Sequence, residues 1–539
     1  MADFIVGPDR PRPSAGSNSF VPRLVTAAMC ALALLCALSS VVAGQSVERA
    51  TDRYLNSIRT RPRRLTEFLH RMPKGGDLHM HITGAVYAES YVRWSAAASS
   101  PRLCVDSTSL ALSPESPDKP CSDPARPPVG EALTNSQLYN RLIDAWSMRN
   151  WRKSGESGHD HFFRSFGKFS AGINGHFGDM LAEVAARAAR ENASYLELML
   201  TPDDNIAIGL GQKLKWTGDF QAMRNELLDD IVKSVEAGRE TLDAAVAAER
   251  KDLNCDGPRP DPGCKVAVRF IFQVGRTNPP AVAYAQMVAA MELAKADPRL
   301  VALNLVAPED SKSSLDNFAD QMKMLDYLHS VYPSMHITLH AGELVPSLVP
   351  PDALKSHIRD SVEIAHAERI GHGVDVLHER DPQGLLQEMA RRKILVEICL
   401  SSNDEILGVS GKAHPLSTYI KSGVPVAIAT DDQGIARSDI TKEYMRAVRD
   451  QGLGYSDLKQ MARNSLEYSF APGASLWQNR DGFVPVAECA EAFARETNFR
   501  HGSRETSPSC REYLSGNEKA SLEWDLEKRF RRFEQSGKK

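Results

Sequence analysis

The chain has 539 residues, of which 25% are charged, and its formal net charge is -4 at pH 7. This length is enough for one large domain, and the balanced charge excludes the strongly basic surface typical of nucleic-acid-binding proteins. We therefore expect a soluble globular protein that has no nucleic-acid partner.

The first distinctive segment is the apolar run from Leu24 to Gly44, which follows arginines at positions 10, 12 and 23. A basic start, an apolar middle and small residues at the end are typical of an export signal, so the sequence predicts a periplasmic or secreted protein. The run is also close to the length of a bilayer span, so an uncleaved membrane anchor is the alternative. In that alternative the protein contacts a membrane through this segment.

Nine cysteines support export. Cys30 and Cys36 would leave with the signal, and six of the remaining seven form couples that are close in sequence, each in a loop-like segment rich in Pro, Gly or Ser. Local disulfides form in oxidising compartments, although spacing alone does not fix their connectivity. Cys399 lies in an apolar run, which predicts a buried, reduced thiol. The predicted pairs are Cys104 with Cys121, Cys255 with Cys264, and Cys489 with Cys510.

Apolar runs alternate with helical patterns between Asp77 and Thr430. Such alternation predicts a parallel sheet with helical crossovers, and eight units predict a closed (β/α)8 barrel of the TIM type. A doubly wound open sheet is the alternative, but no glycine-rich nucleotide-binding fingerprint follows the first run. The predicted strands are Asp77–Ile82, Tyr195–Leu200, Val266–Val274, Leu300–Val306, the run ending at Leu339, Arg369–Gly373, Ile394–Leu400 and Val424–Thr430.

The segments outside the barrel are predicted to be helical or to form loops. Residues 47–69 predict one or two helices ahead of the first strand, and the Pro- and Ser-rich stretch at about 100–130 predicts a small disulfide-linked insertion after that strand. The predicted organisation is a signal or anchor at 1–44, a single barrel domain at 45–500 and a charged helical tail at 501–539.

The fifth predicted strand ends on His340, and Glu343 follows after a short turn. A neutral imidazole can bind a divalent metal, and a carboxyl group this close can exchange protons with whatever the metal activates. The pattern therefore predicts a hydrolytic half-site. A buried structural histidine beside a solvated glutamate is the alternative for this short motif taken alone.

Other strand ends carry matching groups. His79 and His81 are on the first strand, where the period of two places both rings on one side. His372 ends the sixth strand, and Asp431 and Asp432 follow the eighth. Because the functional groups of such barrels come from the C-terminal ends of the strands, we expect these side chains to converge. Three imidazoles and one carboxylate suit one zinc ion, with a position left for water.

Together these motifs resemble those of the adenosine deaminases, within the metal-dependent amidohydrolase superfamily. Met72-Pro-Lys-Gly75, the export signal and the cysteine pairs look closer to the secreted branch, the adenosine deaminase-related growth factors. The motifs that carry the resemblance are His79-x-His81, His340-Ala-Gly-Glu343, Arg369-Ile-Gly-His372-Gly373, Ser402-Asn403 and Thr430-Asp431-Asp432.

The resemblance implies a zinc-dependent hydrolysis of adenosine, and of 2′-deoxyadenosine, that releases ammonia. Carried over by position, it implies one zinc ion per chain, bound by His79, His81, His340 and Asp431. It further implies that Glu343 protonates the purine ring, that His372 and Asp431 orient the hydroxide, and that Asp432 contacts the purine. The expected partner is a small nucleoside substrate. Whether the protein forms a homo-oligomer is left open.

Three positions depart from the family pattern. Thr83 replaces an Asp that handles the ribose end, Ala307 replaces a Gly that approaches the base, and Met199 stands where a strand-end Arg is common. Thr83 and Ala307 are therefore candidate substrate-binding residues. An uncharged Thr83 predicts weaker discrimination against 5′-deoxy and 5′-thioether adenine nucleosides, so a deaminase of 5′-modified nucleosides is an alternative.

Two other functions are kept as alternatives. A two-metal hydrolase usually needs a bridging lysine at the fourth strand end, and Leu303 to Pro308 offers none. A catalytically weak, growth-factor-like binding protein is the other, although the insertion is short for a receptor-binding domain. His366-Ala-Glu368 fits half of the signature of another zinc deaminase class, but no Pro-Cys-x-x-Cys follows it, and we expect it on a helix surface.

Overall fold

The computed structural model describes residues 47–98, 102–497 and 506–536. The predicted export signal, with Cys30 and Cys36, lies outside the described residues. Within the ranges that are described, no helix combines the length and the apolar character needed to cross a membrane.

The centre of the molecule is a sheet of eight strands, all paired in parallel and in chain order. A further parallel bridge joins Met80 of the first strand to Asp431, just after the last, so that the two edges meet. The predicted TIM-type barrel is confirmed, and the open doubly wound alternative is wrong. The strands are β1 (Gly75–His81), β2 (Ala193–Leu200), β3 (Ala267–Gly275), β4 (Leu300–Val306), β5 (His336–Ala341), β6 (Arg369–His372), β7 (Leu395–Ile398) and β8 (Val426–Ile428).

Helices connect the strands and extend the chain at both ends, and two short hairpins lie outside the barrel. The hairpins pair Leu103–Val105 with Leu112–Pro114 and Trp477–Asn479 with Val484–Pro485. The helices are α1 (47–58), α2 (Pro62–Arg71), α3 (Ile82–Ala85), α4 (Ala88–Ala97), α5 (Ser136–Ala145), α6 (Gly158–Phe169), α7 (Phe177–Arg190), α8 (Ile206–Lys213), α9 (Phe220–Asp252), α10 (Pro280–Ala296), α11 (Lys312–Val331), α12 (His357–Glu363), α13 (Pro382–Arg392), α14 (Leu400–Leu407), α15 (Leu416–Lys421), α16 (Ile440–Arg449), α17 (Tyr455–Glu467), α18 (Ala487–Thr497), α19 (Pro508–Gly516) and α20 (Glu518–Ser536).

Helix α12 ends earlier than the sequence predicts, so the expectation that His366 lies on a helix is wrong. His366 has a left-handed backbone conformation with φ of 58°. Its ring stacks on that of His329, and its Nε2 lies 2.8 Å from Asp326 Oδ1. The apolar pattern continues past the helix because Ala365 and Ala367 are buried in the loop that leads to β6.

The barrel interior contains a buried ionic network below the strand ends. Arg369 of β6 donates from Nε to Glu397 Oε1 at 2.6 Å and from Nη2 to Glu197 Oε2 at 2.5 Å. Its guanidinium carbon lies 3.9 Å from the ring centre of Phe470. The two carboxylates belong to β7 and β2, so one side chain links three strands.

The three predicted disulfides are confirmed, and Cys399 is a buried free thiol as predicted. Cys489 and Cys510 do not lie in a loop, however, because each is part of a short helix, α18 and α19. Both cysteines are fully buried in a small apolar cluster with Trp477 and Trp524. The prediction of a loop there is wrong because burial of this cluster orders the flanking residues into helices.

The last helix, α20, packs against the barrel domain. Phe530 is fully buried, and the ring of Phe533 lies 4.9 Å from that of Phe68 on α2. Arg463 of α17 forms two hydrogen bonds with the Glu527 carboxylate, at 2.6 and 2.8 Å. The N- and C-terminal helices therefore share one core with the barrel.

We expect Arg369→Met to lower the free energy of unfolding by about 3 to 5 kcal/mol, because it leaves two buried carboxylates without their cation. Urea-induced unfolding followed by circular dichroism measures the change. Arg391→Met is the control, since the Arg391 side chain is 70% exposed and pairs only with Glu388 on the surface. Equal unfolding midpoints for the two variants would contradict the role given to the buried network.

Candidate metal centre and active site

Four predicted ligand groups meet at the C-terminal end of the barrel. Nε2 of His340 lies 3.0 Å from Nε2 of His79 and 3.2 Å from Nε2 of His81. Oδ1 of Asp431 lies 3.6 Å from Nε2 of His79 and 3.4 Å from Nε2 of His81. Two ligands of a tetrahedral zinc site are separated by about 3.3 Å, given metal–ligand bonds of about 2.0 Å. The four atoms therefore have the spacing of a set that could hold one metal ion.

Each of the three histidines has its other ring nitrogen engaged by an oxygen acceptor. Nδ1 of His79 lies 2.6 Å from Glu397 Oε2, and Nδ1 of His81 lies 2.6 Å from Gln273 Oε1. Nδ1 of His340 lies 2.9 Å from Asn304 Oδ1. An oxygen acceptor places the proton on Nδ1, so Nε2 keeps its lone pair for a metal.

These three acceptors were not predicted from the sequence. Glu397, Gln273 and Asn304 each stand among mostly apolar residues near the carboxyl end of a strand. A lone polar residue in a buried strand must find a hydrogen-bonding partner, which is the signal that could have found them.

A glycine makes room for one of the ligands. A Cβ atom on Gly371, in β6, would lie 2.5 Å from Cε1 of His79. That separation is shorter than any van der Waals contact, so a larger residue would displace the imidazole. The glycine of the Arg369-Ile-Gly-His372 motif is thus required by the close approach of β6 to the His79 ring.

His372 is fully buried and lies next to the four candidate ligand groups. Asn403 Nδ2 donates to His372 Nδ1 at 2.9 Å, and His414 Nε2 donates to Asn403 Oδ1 at 3.0 Å. This chain leaves the His372 proton on Nε2, which lies 3.8 Å from Asp431 Oδ2. Burial lowers the pKa of His372 to about 3, so its ring is neutral at pH 7.

Glu343 occupies the edge of the same cluster. Its Oε1 lies 3.5 Å from His372 Nδ1 and has no hydrogen-bond partner among the described residues. Burial, followed by the negative charges of Asp431 and Glu309, raises the pKa of Glu343 well above its usual range. A raised pKa favours the protonated form of the carboxyl group, which is the form that can donate a proton.

A cavity of about 370 Å³ opens above the ligand cluster. Thr83, Ala307 and Asp432 line it, as do His81, His340, Glu343 and Asp431. All three candidate substrate-binding residues thus face the same space as the ligands. Ala307 adopts a positive φ of 82°, which is uncommon for a residue with a Cβ atom. Met199 is buried and is not among the lining residues.

One wall of the cavity is apolar, and this wall was not predicted from the sequence. Phe162, Phe163 and Phe166 of α6 form much of it, together with Pro308 and Ile406. Among the described residues that line the cavity, none is a lysine or an arginine. The α6 helix is distant in sequence from every strand end, so only the fold could have brought it to the site.

A second combination of groups overlaps the first. His79, His372, Cys399 and Asp431 also offer ligand atoms within 4.8 Å of one another. Burial and nearby carboxylates raise the pKa of the Cys399 thiol well above its usual range, and a protonated thiol is a poor metal ligand. The set formed by His79, His81, His340 and Asp431 is therefore the better candidate.

We expect Gln273→Leu to weaken metal binding about 10- to 100-fold, because the Nδ1 proton of His81 then loses its acceptor. Competition with a chromophoric chelator measures the affinity. Gln286→Leu is the matched control, since Gln286 is equally polar but accepts from Gly275 N and Asn278 Nδ2 away from the ligands. Unchanged affinity in the Gln273 variant would contradict the role given to this acceptor.

Known proteins resemble the chain over part of its length. An adenosine deaminase from Escherichia coli (strain SE11) is 38% identical over 136 residues, which are 25% of this chain and 38% of that protein. The match thus spans well under half of this relative. Among solved structures, the N6-methyl-AMP deaminase from Arabidopsis thaliana has a TM-score of 0.48 at 20% identity, covering 75% of this chain and 94% of that chain. An adenine deaminase from Arthrobacter aurescens has a TM-score of 0.48 at 18% identity, covering 74% and 94%.

The family model for adenosine deaminase matches residues 151–478, which is more than half of the chain. The matched range includes His340, Glu343, His372 and Asp431. His79 and His81 precede it in sequence, and the barrel brings them into the same cluster. The protein belongs to the adenosine deaminase family.

Proposed function

We propose that the protein is a zinc-dependent hydrolase that deaminates adenosine and 2′-deoxyadenosine, releasing ammonia. The observation that carries this proposal is the convergence of three imidazole nitrogens and the Asp431 carboxylate beside the buried Glu343 carboxyl group. Family membership supports the same reaction class. The single ligand set of nitrogen and oxygen atoms supports one zinc ion per chain.

His79, His81, His340 and Asp431 would hold the metal, because their ligand atoms have the required spacing. Bound zinc lowers the pKa of a coordinated water to about 7, so that hydroxide is available at neutral pH. The acceptors on Nδ1 of the histidines fix the ring orientations before the metal arrives.

Glu343 is the proposed proton donor. Its carboxyl group lines the cavity, and burial raises its pKa, which favours the protonated form. A proton delivered to the purine ring nitrogen next to the carbon under attack would prevent negative charge from building up on the ring. The unpartnered Oε1 atom is available for this contact.

His372 and Asp431 are proposed to orient the attacking oxygen. The His372 proton lies on Nε2, which has no hydrogen-bond partner within the described part of the chain, so His372 can donate to that oxygen. Asp431 Oδ2 accepts from Ser402 Oγ at 2.7 Å, which fixes the carboxylate plane. Because the neutral His372 already carries its proton on Nε2, His372 is the donor to that oxygen, and the Asp431 carboxylate is the acceptor.

The cavity favours an uncharged nucleoside over a nucleotide. Its lining has no described lysine or arginine to neutralise a phosphate, and three phenylalanines form an apolar wall. Asp432 is buried, and its Oδ1 atom has no partner among the described residues, so it can contact the base. Thr83 is the proposed contact for the ribose end, and Ala307 for the base.

Export is also part of the proposal. The three disulfides support an oxidising compartment, consistent with the predicted signal. The resemblance to the secreted branch of the family stays a prediction.

The proposal is tested by incubating the purified, zinc-loaded protein with adenosine and following the loss of ultraviolet absorbance. We expect turnover of adenosine and of 2′-deoxyadenosine, and little turnover of AMP at equal concentration. No turnover of any adenine nucleoside would refute the proposal and favour a binding protein. Faster turnover of AMP than of adenosine would refute the nucleoside preference.

We expect Glu343→Gln to keep one zinc ion per chain and to lose activity about 100-fold or more, because the variant lacks the proton donor but no ligand. Asp431→Ala is the contrasting variant, since it should lose both metal and activity. Zinc is measured by plasma mass spectrometry. Loss of metal in the Glu343 variant, or normal metal in the Asp431 variant, would show that the roles are wrongly assigned.

We expect Thr83→Asp to raise the preference for adenosine over 5′-deoxyadenosine about 10- to 100-fold, because a carboxylate gains a charge-assisted bond from the 5′-hydroxyl. The measurement is kcat/KM for both nucleosides. Thr83→Asn is the control, since it changes the size of the side chain without adding charge. A wild-type protein that already rejects 5′-deoxyadenosine by several orders of magnitude, with no change in the Asp variant, would exclude Thr83 as the ribose contact.

A further inference from the structure

We propose that Glu309, together with Arg276, is a positioning residue that holds the turn between the metal ligand His340 and the proton donor Glu343. The inference rests on the proposed function for the role of Glu343. The contacts that support it are made to the backbone of the turn and do not involve the ligand atoms.

Glu309 accepts hydrogen bonds from two successive backbone N–H groups of the turn. Gly342 N donates to Glu309 Oε1 at 3.1 Å, and Glu343 N donates to Glu309 Oε2 at 2.9 Å. A carboxylate that accepts two successive backbone N–H groups fixes the direction of the peptide plane between them. The Glu343 side chain is attached next to that peptide plane. Glu309 therefore fixes the direction in which the Glu343 carboxyl group extends.

Arg276 connects the same carboxylate to the ligand end of the turn. Its Nη1 lies 3.5 Å from Glu309 Oε2, and its Nη2 donates to the His340 carbonyl at 2.5 Å and to the Leu305 carbonyl at 3.3 Å. Gln321 Nε2 in turn donates to the Arg276 carbonyl at 2.7 Å. The ion pair thus holds His340 and Glu343 relative to one another.

The ion pair is shielded from water. Glu309 and Arg276 are each about 2% exposed. His357 Nδ1 lies 2.6 Å from Glu309 Oε1, and the His357 ring stacks on Phe318 at 3.8 Å. Although burial alone would raise the pKa of Glu309, the charge of Arg276 and the hydrogen bond from His357 lower it to about 2. The group is therefore an ionised carboxylate at neutral pH.

The turn requires this support because of its own conformation. Gly342 has a φ of 73°, and a Cβ atom there would lie 2.4 Å from Asp375 Oδ1. A glycine leaves the backbone free to adopt other conformations, so external contacts must select one. Val374 N and Asp375 N hold the Gly342 carbonyl at 2.8 and 3.1 Å, and Glu309 holds the opposite side.

We expect loss of the Glu309 carboxylate to lower kcat and to leave KM nearly unchanged. Displacing a reacting group by about 1 Å costs on the order of 100-fold in rate, whereas the other residues that line the cavity stay in place. Glu309→Gln keeps the shape of the side chain but presents an amide N–H to one of the two backbone N–H groups. We expect kcat to fall about 100-fold, with KM within about 3-fold of wild type and one zinc ion retained.

Glu379→Gln is the matched control. Glu379 is 4% exposed and also accepts from two backbone N–H groups, those of Ile358 at 2.7 Å and Arg359 at 3.2 Å, at the start of α12. A merely structural effect of replacing a buried glutamate that holds two backbone N–H groups should appear in both variants. Amide hydrogen exchange of the peptide that contains residues 342–343 provides a readout that does not depend on the substrate.

We expect faster exchange at residues 342–343 in Glu309→Gln and not in Glu379→Gln, together with the loss in kcat. Unchanged exchange there, a kcat equal to that of Glu379→Gln, or a loss confined to KM would overturn the inference. If Glu309→Gln does not fold, Glu309→Asp serves instead, because it keeps the charge opposite Arg276 but is too short to reach both N–H groups. Its kcat should fall about 10-fold with KM unchanged, and an unchanged kcat would overturn the inference. If the wild-type protein deaminates no nucleoside, the proposed function fails, while the exchange measurement still tests the contacts.

Discussion

Three imidazole nitrogens and a carboxylate oxygen lie close together, with four of their separations at 3.0 to 3.6 Å, inside a barrel end that has little access to water. Such atoms stay this close only when a proton or a metal ion lies between them; although burial alone would lower the pKa of His79, the Asp431 and Glu397 carboxylates raise it to about 10. Much of the surrounding structure is arranged to hold these four atoms together in the folded chain. The acceptors on Nδ1 keep the protons of the three imidazoles away from the centre, and Gly371 allows His79 to approach closely.

The same constraint couples the site to the stability of the fold. Glu397 accepts from His79 with one oxygen and from Arg369 with the other. Arg369 in turn holds Glu197 on the opposite side of the barrel. A buried network of this kind stabilises the fold only when it is complete, so the orientation of a metal ligand and the packing of the barrel interior depend on the same charges. A barrel with a purely apolar interior would not orient His79 in this way.

Much of the fold and of the ligand set followed from the sequence because the relevant signals are local. The period of two along β1 was enough to place His79 and His81 together, and the alternation of strands and helices predicted the barrel. Glu309, Arg276, Gln273 and the phenylalanines of α6 were missed because their roles depend on contacts between segments that are distant in sequence. The placement of His366 on a helix was wrong for a related reason, since Ala365 and Ala367 are buried by tertiary packing without being helical.

The central claim is that one metal ion is held by His79, His81, His340 and Asp431, and not by the overlapping set that contains Cys399. X-ray absorption spectroscopy at the zinc edge of the zinc-loaded protein distinguishes the two sets. The account predicts only nitrogen and oxygen neighbours, at about 2.0 to 2.2 Å, with the outer-shell scattering of three imidazole rings. A sulfur neighbour at about 2.3 Å, or a second metal within about 4 Å, would contradict it.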